Sequence, residues 1–243
     1  MKTSTFPIGL SVLFASSVLT FAQTPCDRLK SLSLPDTTFT AIEAVAAGPY
    51  QAPVPAGRGG PPPVAAQQAP GRGGAGPGGR GAPPPPPMLP AHCKVAATLR
   101  PSTDSDIKME LWLPAENWNG KFQMVGNGGW AGTISFGAMA AGLREGYAVA
   151  STDTGHEGGN GMFALGHPEK IVDFAWRAVH ETVVKSKALI SAVYGGNPKY
   201  SYWNGCSTGG RQALVEATKF PNDFDGVIAG APANPHIHLH AAG

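Results

Sequence analysis

The chain has 243 residues, 42% hydrophobic and 14% charged, with 33 glycines and 24 prolines. Its 18 basic residues nearly balance 16 acidic ones and form no dense Lys/Arg block, so composition gives no footprint for nucleic acid or an anionic membrane. The length fits one domain with appendages.

Residues 1–22 read as a secretory signal peptide. Lys2 supplies the positive start, Ile8 to Phe21 is mostly apolar, and Thr20 and Ala22 are the small residues expected before a cleavage site. The apolar stretch is short for a membrane span, which needs about 20 residues. The expectation is cleavage near Ala22 and a secreted or periplasmic product, with residues 23–47 as the N-terminal segment of the mature protein. Export permits disulfides. The cysteines are Cys26, Cys93 and Cys206, an odd number, so at least one is free, paired between chains or missing its partner. A Cys26–Cys93 bridge would close the segment between them; three free thiols is the other reading.

Residues 48–90 hold 14 prolines and 11 glycines. Such a low-complexity insertion cannot bury a core and reads as flexible or polyproline II chain. Arg58, Arg72 and Arg80 sit among its glycines. Three arginines in an exported chain are too few for an RNA-binding Arg/Gly segment.

Residues 91–243 read as the globular domain. Alternation of Ile107, Met109, Leu111 and Leu113 with polar neighbours predicts a strand, ended by Pro114. A second strand over Lys121–Val125 runs into the loop Gly126-Asn127-Gly128-Gly129-Trp130. A short helix is expected over Phe136–Arg144 and a buried strand over Tyr147–Ala150. Residues 168–194 carry the clearest helix, with Ile171, Phe174, Ala175, Ala178, Val179, Val183, Leu189, Ile190 and Val193 at helical spacing. Pro168 suits its first turn and Gly195-Gly196 stops it. A strand over Tyr200–Trp203, a tight turn, a helix over Gly209–Lys219 and a strand over Gly226–Ala229 follow. Strands alternating with helices predict an α/β fold, a mostly parallel sheet with helices on both faces.

Gly205-Cys206-Ser207-Thr208-Gly209 fits G-x-S-x-G between a predicted strand and a predicted helix, the setting of a nucleophile elbow. Ser207 is the candidate nucleophile. The Thr208 backbone N–H is one candidate oxyanion donor, and Gly129 or Gly128, in the earlier glycine loop, is the other. A plain Gly-rich turn is the alternative for both segments.

Cys206-Ser207-Thr208-Gly209-Gly210-Arg211-Gln212 resembles the nucleophile motif of the tannase and feruloyl esterase family. Other segments similar to that family follow its order: Trp118-Asn119-Gly120, Gly126-Asn127-Gly128-Gly129, Ser151-Thr152-Asp153-Thr154-Gly155-His156, and Asp225-Gly226-Val227-Ile228-Ala229-Gly230-Ala231-Pro232-Ala233. The resemblance covers about residues 93–235. It implies an α/β-hydrolase core with an inserted lid, a Ser-Asp-His triad, and cleavage of hydroxycinnamic, gallic or related aromatic esters. It implies that Cys206 pairs with a cysteine after the catalytic histidine, and no cysteine follows Cys206 here. It implies no catalytic cofactor, and it confines calcium to the lid, which this chain lacks.

After Ser207 come Asp223, Asp225, His236, His238 and His240. The two aspartates lie between a helix and the next strand, at the wrong end of the sheet for catalysis. The alternating histidines would share one face of a strand, but no carboxylate or cysteine accompanies them, so no metal site is expected there. The triad acid and base are expected downstream of residue 243, the chain ending before the lid and last strands. Asp153 and His156 could pair as acid and base, though the resemblance gives them a loop-shaping role. His180 is expected as a packed or surface histidine. Trp130 is a candidate substrate contact or a core residue. Arg211 is expected in a structural ion pair, with a carboxylate anchor as the alternative. The expected partner is a small phenolic ester, with no nucleic acid and no membrane after cleavage. Two other readings stay open: a non-catalytic truncated relative, and a protein whose Pro/Gly segment holds envelope material.

Overall fold

The computed structural model describes residues 25–53, 85–130, 132–235 and 238. The signal-peptide reading, most of the Pro/Gly insertion, His236 and His240 lie outside the described residues.

The elements run in chain order: α1 (Pro25–Leu29), β1 (Thr37–Val45), β2 (Gly48–Pro49), β3 (Met88–Leu89), β4 (His92–Leu99), β5 (Ile107–Pro114), β6 (Lys121–Val125), α2 (Phe136–Arg144), β7 (Ala148–Thr152), α3 (Pro168–Val172), α4 (Ala178–Tyr194), β8 (Tyr200–Cys206), α5 (Thr208–Lys219) and β9 (Gly226–Gly230). A short 3-10 turn covers Gly161–Ala164, and a π-helical turn, Asp173–Arg177, joins α3 to α4. Seven strands form one sheet in the order β1-β4-β5-β7-β6-β8-β9. The α/β fold expected from the sequence is present. β6 pairs in parallel with β7 and β8, and β8 with β9; β1, β4, β5 and β7 pair antiparallel in succession.

Period-2 alternation divides the strand side chains between two cores. Met109, Leu111, Leu113, Ala148 and Ala150 face one side, where they pack with Leu29, Val183, Leu189, Ile190 and Ala213 from α1, α4 and α5. Trp112 and Val149 face the other side and pack with Met139, Ala140 and Leu143 of α2. The sheet is therefore covered on both faces.

β1 and β4 carry no clear strand signal in the sequence. β1 has a register shift between Phe39 and Ala41, and its core-packed residues, Phe39 and Ile42, stand three apart rather than two. The irregularity breaks the alternation that marks a strand. β4 contains Ala96 and Ala97, a residue type that strands disfavour. The chain is helical throughout 168–194, as expected, but contains a π-helical turn at Asp173–Arg177, where the extra residue per turn shifts the apolar face. Ile171, on the far side of that turn, is 52% exposed instead of facing the core.

Cys26 and Cys93 form a disulfide, with Cα atoms 5.3 Å apart and both residues buried. The described ends of the insertion are also joined, by the β2–β3 ladder and by Tyr50 N–H to the Pro87 carbonyl at 2.8 Å.

Candidate active site

β8 ends at Cys206, α5 begins at Thr208, and Ser207 alone makes the turn. Its backbone lies at φ 60°, ψ −118°, a conformation that costs a non-glycine residue about 1–3 kcal/mol and persists only where its surroundings impose it. Three hydrogen bonds do so: Ser207 N–H donates to the Gly230 carbonyl at 3.0 Å, and the Ser207 carbonyl accepts from Arg211 N–H and Ala233 N–H, each at 3.0 Å. The Ser207 side chain is left exposed at the C-terminal end of β8.

The glycines around the serine are required by space. A Cβ on Gly205 would stand 2.6 Å from the Gly209 carbonyl, and one on Gly210 would stand 2.4 Å from the Gly230 carbonyl. A Cβ on Gly126 would stand 2.7 Å from Gly209 Cα, so the glycine loop after β6 lies directly against the start of α5.

That loop is bound to the elbow by four hydrogen bonds. Gly209 N–H donates to the Asn127 carbonyl at 2.8 Å, and Thr208 Oγ1 donates to the Gly129 carbonyl at 2.8 Å. Asn127 N–H donates to Gln212 Oε1 at 3.2 Å, and Gln212 Nε2 donates to Asn127 Oδ1 at 3.1 Å. Thr208 is the first residue of α5, where helix geometry leaves backbone N–H groups without intrahelical partners. Gly129 has φ +55° and faces open space, as does Gly128.

Asp153 and His156 each bond to backbone groups. Asp153 Oδ1 accepts from Lys108 N–H at 2.9 Å and Gly155 N–H at 2.8 Å. Burial pushes its carboxyl up to about 7, against those two hydrogen bonds and the nearby Lys108 charge. His156 Nε2–H donates to the Trp130 carbonyl at 2.7 Å, and its ring stacks on Phe163 with centroids 3.7 Å apart. Burial lowers its pKa below the usual imidazole value. The pair thus ties the 153–158 loop to the end of the glycine loop. Trp130 stacks on Phe174 at 5.2 Å and lies 6.3 Å from Phe163, in an aromatic cluster beside that loop. A cleft of about 420 Å³ lies beyond it, lined by residues that include Lys108, Asp153, His156, Phe163 and Lys170 rather than Ser207.

Residues 93–243 match the sequence profile of the family described as tannase and feruloyl esterase. The chain belongs to this family. An uncharacterized esterase of Xanthomonas campestris pv. campestris is 37% identical over 219 residues, covering 89% of this chain and 33% of the relative. A probable feruloyl esterase B-1 of Neosartorya fischeri is 45% identical over 147 residues, 60% of this chain and 28% of the relative. The crystal structure of feruloyl esterase B from Aspergillus oryzae superimposes with a TM-score of 0.71 at 33% identity, covering 88% of this chain and 38% of that one. The chain spans about a third of the length of these relatives.

Within this tannase and feruloyl esterase chain, Arg211 departs from the sequence expectation. It makes no ion pair among the described residues. Nη1 and Nη2 donate to the Ala175 and Phe174 carbonyls at 3.0 and 3.2 Å, and the guanidinium lies 5.1 Å from the Phe174 ring. Both carbonyls belong to the π-helical turn, so the guanidinium binds backbone there instead of a carboxylate. Arg211 thereby joins α5 to the aromatic cluster. Asp225 Oδ2 accepts from Ser201 N–H at 2.7 Å at the start of β8, the sheet end opposite Ser207. His180 is half-buried and bonded to Asp223 at that same end. Cys206 is a free, exposed thiol, and His238 is exposed. Among the described residues, no histidine is hydrogen-bonded to Ser207. The sequence reading missed the Asn127–Gln212 pair, because no local pattern links residues 85 positions apart. Their place in two glycine-rich motifs was the available signal.

Proposed function

We propose that this chain carries the nucleophile half of an exported serine esterase that cleaves esters of hydroxycinnamic, gallic or related aromatic acids. Ser207 Oγ attacks the ester carbonyl. The N–H groups of Thr208 and of Gly129 or Gly128 hold the developing oxyanion, and water then releases the acid from the acyl-enzyme. The observation that carries this reading is the backbone of Ser207, held at positive φ by Gly230, Arg211 and Ala233 with its side chain exposed. A plain turn gives no reason to hold a serine there.

The serine needs a base at neutral pH. We place that histidine, and the carboxylate that orients it, in polypeptide beyond residue 243. The relatives have room for them, since the matched segment is 33% of the Xanthomonas esterase. A cysteine near that histidine would give the exposed Cys206 a partner. Trp130 would form an aromatic wall for the acid. Export is supported by the signal-like leader and by the Cys26–Cys93 disulfide, a bond favoured outside the cytosol. The chemistry needs no cofactor.

The test is fluorophosphonate labelling and methyl ferulate hydrolysis, with the 243-residue chain and with the chain extended along its reading frame. The extended chain is expected to hydrolyse the ester and to label at Ser207, with both lost in Ser207→Ala. The 243-residue chain is expected to retain at most the roughly 10³–10⁴-fold effect of oxyanion stabilisation and binding. A folded, extended chain that neither labels nor hydrolyses, or labelling that survives Ser207→Ala, would overturn the proposal.

A further inference from the structure

At the sheet end opposite Ser207, three side chains from three segments converge: His180 of α4, Glu216 of α5 and Asp223 of the turn before β9. One ligand atom from each lies within 4.8 Å of the other two. His180 Nδ1 is 2.7 Å from Asp223 Oδ2. Glu216 is 1% exposed, and among the described residues no donor reaches either of its carboxylate oxygens. Its polar neighbour is the Asp223 carboxylate, also an acceptor. Two buried carboxylates cannot satisfy each other without a positive charge between them, either a proton or a metal cation. Lys187 does not supply that charge to Glu216, because its Nζ donates to the Asn222 and Asp223 carbonyls at 3.3 and 2.6 Å.

We propose that His180, Glu216 and Asp223 form a binding site for a divalent transition-metal cation of the zinc type. One imidazole nitrogen and two carboxylates are donors that zinc and cobalt accept, whereas calcium and magnesium favour oxygen alone. The parts needed for such a site are present. The His180 ring is fixed by stacking on Phe220, with centroids 3.8 Å apart and planes 11° from parallel. The Lys187 bonds hold the turn that presents Asp223. A cavity of about 160 Å³ lies beside the cluster, lined by Glu216, Phe220, Phe224 and Asp225 among others. Ligand atoms about 2.1 Å from zinc stand roughly 3.4 Å apart in a tetrahedron, so His180 Nδ1 and Asp223 Oδ2, now 2.7 Å apart, would open slightly while Glu216 moves in by about 1 Å.

The site lies about 13 Å along α5 from Ser207, nine residues at 1.5 Å each, too far to touch a bound ester. The ion would clip α4, α5 and the turn before β9 together. The inference is therefore independent of the esterase reading.

The test uses the 243-residue chain after chelator treatment and dialysis, titrated with Co²⁺ and then Zn²⁺. One equivalent of Co²⁺ should bind with d–d absorbance and be displaced by Zn²⁺, and Zn²⁺ should raise the melting temperature. Glu216→Gln and His180→Asn should each weaken binding tenfold or more. A variant with His236, His238 and His240 all replaced by alanine should bind as the parent does, and so should Cys206→Ser. Where a ligand variant does not fold, zinc X-ray absorption of the parent chain decides. A single imidazole with oxygen ligands supports the site, and several imidazoles or any sulfur overturns it. Absence of one-equivalent binding also overturns it, leaving a shared proton as what joins Glu216 to Asp223.

Discussion

Gln212 and Asn127 face each other as two amides, Asn127 N–H to Gln212 Oε1 and Gln212 Nε2 to Asn127 Oδ1, with both residues buried. Neither amide is free to turn over. Asn127 Nδ2 donates to the Thr133 and Thr152 carbonyls, both at 2.8 Å, which fixes Oδ1 toward Gln212. The glycine loop therefore keeps its place against the elbow through side chains whose orientation is fully determined. Gln212→Leu leaves Asn127 N–H and Oδ1 unpaired in the interior, at a cost of about 2 kcal/mol or more. Gln212→Glu keeps the acceptor but sets a carboxylate oxygen against Asn127 Oδ1. It should be destabilising at neutral pH and partly recover in acid, where the carboxyl can donate. Melting curves of the two variants at pH 7 and pH 4.5 check this, and equal behaviour of both at both pH values would count against it.

Gly210 and Gly137 make a contrasting pair of glycine-to-alanine sites. At Gly210 the new Cβ would stand 2.4 Å from the Gly230 carbonyl and 2.8 Å from Pro232 Cα. That carbonyl also accepts from Ser207 N–H, so relief of the clash pushes β9 away from the elbow. Gly210→Ala should cost about 3 kcal/mol and slow labelling of Ser207 in the extended chain. At Gly137, exposed in the first turn of α2, a Cβ meets nothing within 4 Å. Gly137→Ala should be neutral or stabilising by about 0.5 kcal/mol. Urea unfolding of both variants reads the difference directly.

The elements around the nucleophile were legible because their signals are local. A short strand, a G-x-S-x-G turn and an amphipathic helix each announce themselves within about a dozen residues. β1 was not legible, since its bulge breaks the alternation between Phe39 and Ile42. The role of Arg211 was hidden for a different reason. Its partners are backbone carbonyls of a π-helical turn, and no residue type marks such a turn in advance. The convergence of His180, Glu216 and Asp223 was equally hidden, because residue types alone do not bring α4, α5 and a turn to one point.

Asp153 makes stability depend on pH in an unusual direction. Its folded pKa, about 7, is raised above the unfolded value near 4 by burial. Lys108 pulls it down and Asp106 pushes it up, both less than burial does. Between about pH 4 and pH 7 the unfolded chain has lost this proton while the folded chain keeps it, so stability falls as pH rises. A difference of about three units corresponds to roughly 4 kcal/mol, fully present below pH 4 and lost by about pH 8. Asp153→Asn keeps an acceptor for Lys108 N–H and Gly155 N–H and removes the titration. Its melting temperature should change less than that of the parent between pH 5 and pH 8. A parent slope unchanged by the substitution would place the titrating group elsewhere.

The Cys26–Cys93 disulfide closes a loop of 67 residues, of which 54–84 lie outside the described structure. Loop-closure entropy for that length gives the bond about 4 kcal/mol of stabilisation through the unfolded state. Its native neighbourhood adds local order. Leu29 of α1 is fully buried against the sheet, and Arg28 Nη1 donates to the Val193 carbonyl at 2.6 Å, so the bridge holds α1 on α4. Replacing both cysteines by alanine should lower stability by about that amount and expose α1 first to proteolysis. Deleting 54–84 tests the other side of the same relation. Closure cost rises only with the logarithm of loop length, so removing 31 residues reduces the contribution of the disulfide by only about 0.5 kcal/mol. The β2–β3 ladder remains to join the cut ends. Denaturant midpoints for the parent, the deletion and the double-cysteine variant separate these effects. A deletion as damaging as loss of the disulfide would mean that the Pro/Gly segment contributes packing of its own.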